Sequence, residues 1–181
     1  MRLVALTLGL GLAVPALADA RPFTFGVGLG RTQNAVDGDG EADDTLQLFG
    51  RIGLTARLGA QLEVQRIEDD SNLDNRTATA LLVVELGGNG KLVPLLVAGF
   101  GVDHVSSDWG YEASGSHKEG GIGLEYRADG GLTIGADLRL GGRSIEQSGE
   151  VYPLDVRALI APGGLVSGEY RSGRVYAGVR F

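Results

Sequence analysis

From residue 23 onward, large apolar side chains fall on every second position. Phe23, Phe25, Val27 and Leu29 alternate with Thr24, Gly26, Gly28 and Gly30. In an extended strand this puts four large apolar groups on one face and almost nothing on the other, whereas a helix scatters them. The period continues in Leu46, Leu48, Ile52 and Leu54 against Gln47, Arg51, Gly53 and Thr55. It recurs in Leu62 and Val64 against Gln61, Glu63 and Gln65, with a tight connection near Arg57-Leu58-Gly59. Ala78, Ala80, Leu82, Val84 and Leu86 oppose Thr77, Thr79 and Glu85. Across Gly87-Gly88-Asn89-Gly90, Pro94, Leu96, Ala98, Phe100 and Val102 oppose Gly99, Gly101 and Asp103. Ile122, Leu124 and Tyr126 alternate with Gly121, Gly123, Glu125 and Arg127, and Ala128-Asp129-Gly130-Gly131 turns the chain into Leu132, Ile134, Ala136, Leu138 and Leu140 against Thr133, Gly135, Asp137, Arg139 and Gly141. Val175, Ala177, Val179 and Phe181 against Arg174, Tyr176, Gly178 and Arg180 complete eight predicted strands.

Alternation fits both a soluble barrel with its apolar face inward and a membrane barrel with that face outward. The connections separate the two. They are short at 57–60, 87–91 and 128–131 and longer at 32–44, 68–76, 103–119 and 144–172. Short turns at one rim and long loops at the other mark an outer-membrane barrel, and closure removes the unpaired strand edges that lipid cannot hydrogen-bond. The start of the chain agrees: Met1-Arg2, an apolar run from Leu3 to Val14, then Ala18-Asp19-Ala20, which reads as a secretory signal peptide over residues 1–20. That run is too short to cross ~30 Å of hydrocarbon as a helix. The sequence therefore predicts an all-β chain, with an eight-stranded antiparallel up-and-down transmembrane β-barrel over residues 21–181 in the bacterial outer membrane. A soluble periplasmic barrel carrier is the alternative. Tyr152 to Ile160 also alternates and, with Leu165 to Arg171, offers a further hairpin and ten strands. Eight is preferred because Leu165 to Arg171 is a short and irregular partner.

Composition sharpens the picture. The 31 glycines are interleaved with Val, Leu and Ile, unlike a collagen or a linker. The chain has no Cys, so no disulfide framework and no lipid-modified leader. A net charge of −7, with Lys only at 91 and 118, argues against a nucleic-acid partner. The acid gathers in the longer connections, whose net charges are −5, −3, −3 and −2 in chain order. Asp37, Asp39, Glu41, Asp43 and Asp44 form the densest cluster, a weak surface candidate for calcium or magnesium. It lacks the EF-hand Gly and Glu, because Ala42 and Leu48 stand there; the preferred reading is a solvated charged loop, with no cofactor or structural metal.

Several motifs resemble the small OmpA/OmpX-like barrel family over essentially all of residues 21–181. Val93-Pro94-Leu95-Leu96-Val97-Ala98-Gly99-Phe100-Gly101 resembles its Pro-aromatic-x-x-x-Gly-x-Gly strand, with Leu95 at the usual aromatic. Gly123-Leu124-Glu125-Tyr126-Arg127 resembles its Gly-x-x-Tyr-Arg strand end, and Ala177-Gly178-Val179-Arg180-Phe181 its terminal assembly signal. The resemblance implies a monomer surrounded by outer-membrane lipid and lipopolysaccharide, assembled by the barrel assembly machinery reading Phe181. The chain ends there, so the peptidoglycan-binding domain of full-length OmpA relatives is not expected. The implied role is structural or interactive: membrane integrity, adhesion or surface masking.

Two further groups carry chemistry. Arg51, Glu63, Glu85, Glu125, Arg127, Asp137, Arg139 and Arg180 fall on the inward face. An eight-stranded interior holds side chains and little else, and unpaired charges there are costly, so a mutually paired polar plug is preferred over an ion or proton path. Glycines at inward positions are expected to keep the lumen uncrowded. Separately, His104-Val105-Ser106 with Glu119 is similar to the His-x-Ser pair and Glu of a lipid A 3-O-deacylase, in which a His takes the Ser proton and a carboxylate holds the imidazole. Here the pair lies on the fifth strand and not near the C-terminus, and Ser107 replaces the family's Asn. An ordinary loop root is preferred, with Trp109 and Tyr111 as interfacial anchors.

Overall fold

The computed structural model describes residues 22–34, 42–68, 73–87, 90–107, 112–147 and 168–181. The alternating stretches become strands β1 (Phe23–Asn34), β2 (Asp43–Gly53), β3 (Leu58–Glu68), β4 (Leu73–Glu85), β5 (Leu92–Ser107), β6 (Glu112–Arg127), β7 (Leu132–Gln147) and β8 (Gly168–Arg180). Each pairs antiparallel with its neighbour in sequence, and β1 pairs with β8, so the sheet closes as an eight-stranded up-and-down barrel. The closing seam runs from Thr24↔Arg180 to Asn34↔Tyr170. At the short-turn end Phe181 N donates to Phe23 O at 2.8 Å. One tight turn there requires glycine, since Gly130 and Gly131 have φ of 105° and 89°. Another is fastened by Thr55 Oγ1, which accepts from Leu58 N at 3.1 Å.

Exposure decides which face is which. Leu62, Phe100 and Leu140 are 69%, 71% and 70% exposed, while Glu63, Glu125 and Arg139 are 3%, 1% and 2% exposed. An apolar belt outside and charge inside is the reverse of a soluble barrel and the pattern required in lipid.

Three expectations need correction. Residues 103–119 are not a loop: β5 and β6 run through them, leaving a connection at 108–111, and β7 likewise continues to Gln147. The apolar period fades there because His104, Ser106, Glu112, Ser114, Ser116 and Lys118 occupy the outward positions, but inward parity persists. Two carboxylates counted with the acidic rim, Asp103 and Glu119, therefore lie inside. Second, the inward glycines do not leave open lumen. A Cβ on Gly135 would run into the Tyr176 ring and one on Gly141 into the Tyr170 ring, so glycine makes room for an aromatic on the neighbouring strand. Third, the interior is not polar all round. Val83, Val93, Leu95 and Val97 form a buried apolar sector of β4 and β5, and Ile67, Val105 and Ala113, with Ile145 against them, form another near the loop end. The first part of the possible extra hairpin, Tyr152 to Ile160, lies outside the described residues; Gly168 to Arg171 opens β8.

Candidate functional site

Inward parity on seven of the strands gathers charged groups into one connected column. At its centre Arg139 on β7 crosses the lumen to Glu63 on β3, with Nη1 and Nη2 donating at 2.9 and 2.8 Å. Its Nε donates to Asp137 at 3.1 Å, and Nη1 also reaches Glu119. Arg174 on β8 grips the same carboxylates, Nη2 to Asp137 at 2.6 Å and Nη1 to Glu63 at 2.8 Å, and contacts Gln47. Both arginines use their planar fork to hold carboxylates bidentately, the strongest arrangement such a pair offers. Gln61 links this centre downward: it donates to Glu63 at 2.5 Å and accepts from Arg51 Nε at 2.5 Å. Arg51 then donates to Glu125 at 2.7 Å, Arg127 to Glu125 at 2.8 Å and to Glu85 at 2.9 and 2.5 Å. Tyr176 donates to Glu125 at 3.1 Å. Arg180 stands at the short-turn mouth with Glu85 and Arg127, lining a hollow of about 530 Å³.

Above the centre the column continues through Asp103, which the β5 alternation already turns inward, and through residues that the alternation of large apolar groups does not reveal. Tyr170 donates to Glu119 at 2.8 Å, and the Arg143 guanidinium stacks 4.5 Å from the Tyr170 ring centroid. Arg143 Nε lies 3.4 Å from Asp103. His117 Nδ1 lies 3.0 Å from Asp103 Oδ1, and its Nε2 lies 2.9 Å from Thr79 Oγ1. The signal that finds them is parity: Asp103, His117, Glu119, Arg143 and Tyr170 stand an even number of residues from inward positions on their own strands. Among the described residues the lumen below the rim residue Asp43 then holds six cationic groups, Arg51, Arg127, Arg139, Arg143, Arg174 and Arg180, and six carboxylates, Asp103, Asp137, Glu63, Glu85, Glu119 and Glu125.

The deacylase-like set is not brought together. His104 is exposed on the outer face of β5, opposite Ser114 and Arg76, and Ser106 shares that face. Glu119 is on β6 five residues beyond Ser114, which places it about 17 Å along the strand, and it points inward to Arg139 and Tyr170. No carboxylate of Glu119 can orient the His104 ring through the barrel wall. Trp109 and Tyr111 lie outside the described residues, as do Asp37, Asp39 and Glu41. Of the acidic cluster, Asp44 accepts from Arg31 at 2.7 Å on the outer face, while Asp43, next to it on an extended strand, faces the other way. These two cannot share an ion.

The family model of the outer membrane protein β-barrel domain matches residues 4–158. The chain belongs to this family. Its solved neighbours share the barrel. Neisserial surface protein A superposes with a TM-score of 0.62 at 13% identity, covering 87% of this chain and 95% of that one. The N-terminal β-barrel domain of Pseudomonas aeruginosa OprF follows at 0.57 and 17%, covering 87% and 97%. The outer membrane protein OprG of the same organism gives 0.55 at 13%, covering 90% and 96%. No curated protein matches the chain in sequence. As a member of the outer-membrane barrel family, the chain resides in the bacterial outer membrane, with its apolar belt in lipid.

Proposed function

We propose that the chain is a sealed, non-enzymatic barrel that reinforces the outer membrane and offers its acidic outward connections to partners at the cell surface. The observation that carries this reading is the ion-paired column from Glu85 to Asp103, which occupies the lumen with side chains holding one another and leaves a lone eight-stranded barrel no wide aqueous route. Cells lacking the chain should admit bulky dyes and detergents more readily and recover when it is restored. The purified barrel should give no steady conductance steps in a planar bilayer. Large, stable steps would sink the sealed-barrel reading.

A non-enzymatic role also predicts that Ser106→Ala behaves as the native chain. Lipid A from cells with no protein, the native chain and Ser106→Ala should give matching mass spectra, since a surface hydroxyl contributes within ~0.5 kcal/mol to stability. An acyl chain lost only with native protein would establish hydrolysis, because removing a nucleophile abolishes it.

The terminal aromatic serves assembly on this reading. Phe181 is 78% exposed and follows the last strand of the closing seam. Deleting it is expected to leave signal processing and export unchanged but to lower the folded protein in outer-membrane fractions several-fold. Unchanged outer-membrane levels would remove Phe181 from that role.

A further inference from the structure

The outer face changes character at one level around the barrel. Below it the outward positions are apolar; the first charged or ionisable outward residue towards the loop end is Arg31 on β1, Arg66 on β3, Arg76 on β4, His104 on β5, Lys118 on β6 and Arg171 on β8, while β2 has Asp44 and β7 carries no outward charge up to Ser144. Basic groups thus stand where the outer leaflet places its headgroups, although the connections beyond carry net negative charge. Beneath this girdle the wall is not evenly covered. Outward Gly120 on β6 and Gly173 on β8 border the same stretch of wall, with Leu138 and Leu140 of β7 between them, and Gly142 stands higher on β7, opposite Lys118. A Cβ on Gly142 would meet nothing within 4 Å, one on Gly120 a single backbone oxygen at 3.6 Å, and one on Gly173 the tip of Leu138 at 3.3 Å. By contrast, outward Gly50 lies against the Phe23 ring.

Where Gly120 and Gly173 carry no side chain the wall has two adjoining hollows of about 760 and 570 Å³, both bordered by Arg31, Ile122, Leu138 and Gly173, the smaller also by Gly120. Leu29, Leu124 and Val175 wall the lower hollow, while Arg171 and Leu140 border the upper. Register puts Arg31 opposite Gly173 and Arg171 two residues further up β8, so the two guanidinium groups sit diagonally across the β1–β8 seam at the head of the trough. Arg31 is held by Asp44 at 2.7 Å and Arg171 Nε by Gln33 at 2.9 Å; Glu169 is the other outward carboxylate of this corner among the described residues.

We infer that this trough seats one acyl chain of a phosphorylated outer-leaflet glycolipid, with Arg31 and Arg171 taking the phosphate. The apolar walls match a hydrocarbon chain. The paired cations match an anionic headgroup at the depth where hydrocarbon gives way to water. This rests on the outer-membrane reading and adds to it a defined lipid partner at a defined wall.

The test uses the full barrel in phosphatidylcholine nanodiscs, titrated with bis-phosphorylated lipid A, dephosphorylated lipid A or inorganic phosphate. Bound lipid is counted by native mass spectrometry. The native chain should retain one phosphorylated lipid A and no free phosphate. Arg31→Gln and Arg171→Gln should each weaken retention about fivefold, and together erase the preference for the phosphorylated form. Gly173→Leu and, independently, Gly120→Leu should reduce retention of both lipids, with heat-modifiable gel mobility confirming a closed barrel. Native-level retention by both folded glycine variants would overturn the proposal. So would indifference to the phosphates, or a second barrel copy occupying this wall in place of lipid. If retention fails while envelope integrity still depends on the chain, the seat is wrong and the structural role stands.

Discussion

Arg139→Ala is expected to destabilise the barrel by about 3–5 kcal/mol, the effect of removing one partner from a buried ion pair. Arg139 is 2% exposed and shares Glu63 and Asp137 with Arg174 while also holding Glu119. Its loss leaves three carboxylates facing a single guanidinium. Urea unfolding in lipid vesicles, read by heat-modifiable gel mobility, measures the change. Adding Glu63→Gln to Arg139→Ala should recover part of the loss, because it removes a negative charge that Arg139 no longer offsets. If Arg139→Ala unfolds at the native urea midpoint, the column is a passive filling and not a stabilising network.

Leu62→Arg should cost about 2–4 kcal/mol by the same assay, as expected for a cation near the middle of the lipid-facing band. Leu62 is 69% exposed and lies between outward Ala60 and Val64, with Arg66 above them. Ser116→Arg, exposed on β6 two residues loopward of Lys118 in the girdle, should change stability by less than ~1 kcal/mol, because that depth meets headgroups and water. The opposite order would mean that the apolar face is not in lipid. Inward glycine is not a neutral control here: an Arg at Gly135 would collide with Tyr176.

The two expectations differ in origin. The Leu62 result follows from the chain alone. Side chains in a strand alternate by geometry, and the short connections mark the turn-side end of each hairpin, so strand number, closure and membrane residence follow from local pattern, whereas the loop-side ends of β5, β6 and β7 do not. The inward side of Arg51, Glu63, Glu125 and Arg139 comes from the same parity. The candidate hydrolase set shows where pattern stops. His104 and Ser106 share a face as their spacing requires, but Glu119 belongs to a different strand, and only the register of β5 on β6 shows it lower down and on the other side of the wall.

Partner choice across the lumen is likewise tertiary. Arg139 and Glu63 are 76 residues apart, and Arg174 and Gln47 are 127 apart. Nothing local brings them together; closure of β1 on β8 sets which inward rows face one another and at what height. The same closure brings Gly120 of β6 and Gly173 of β8 to the border of one hollow and sets Arg31 beside Arg171 across the seam. Sequence thus determined which face each side chain occupies, because that depends on the two-residue repeat of a strand. The tertiary structure decided which side chains meet, because that depends on the stagger between strands and the shape of the closed wall.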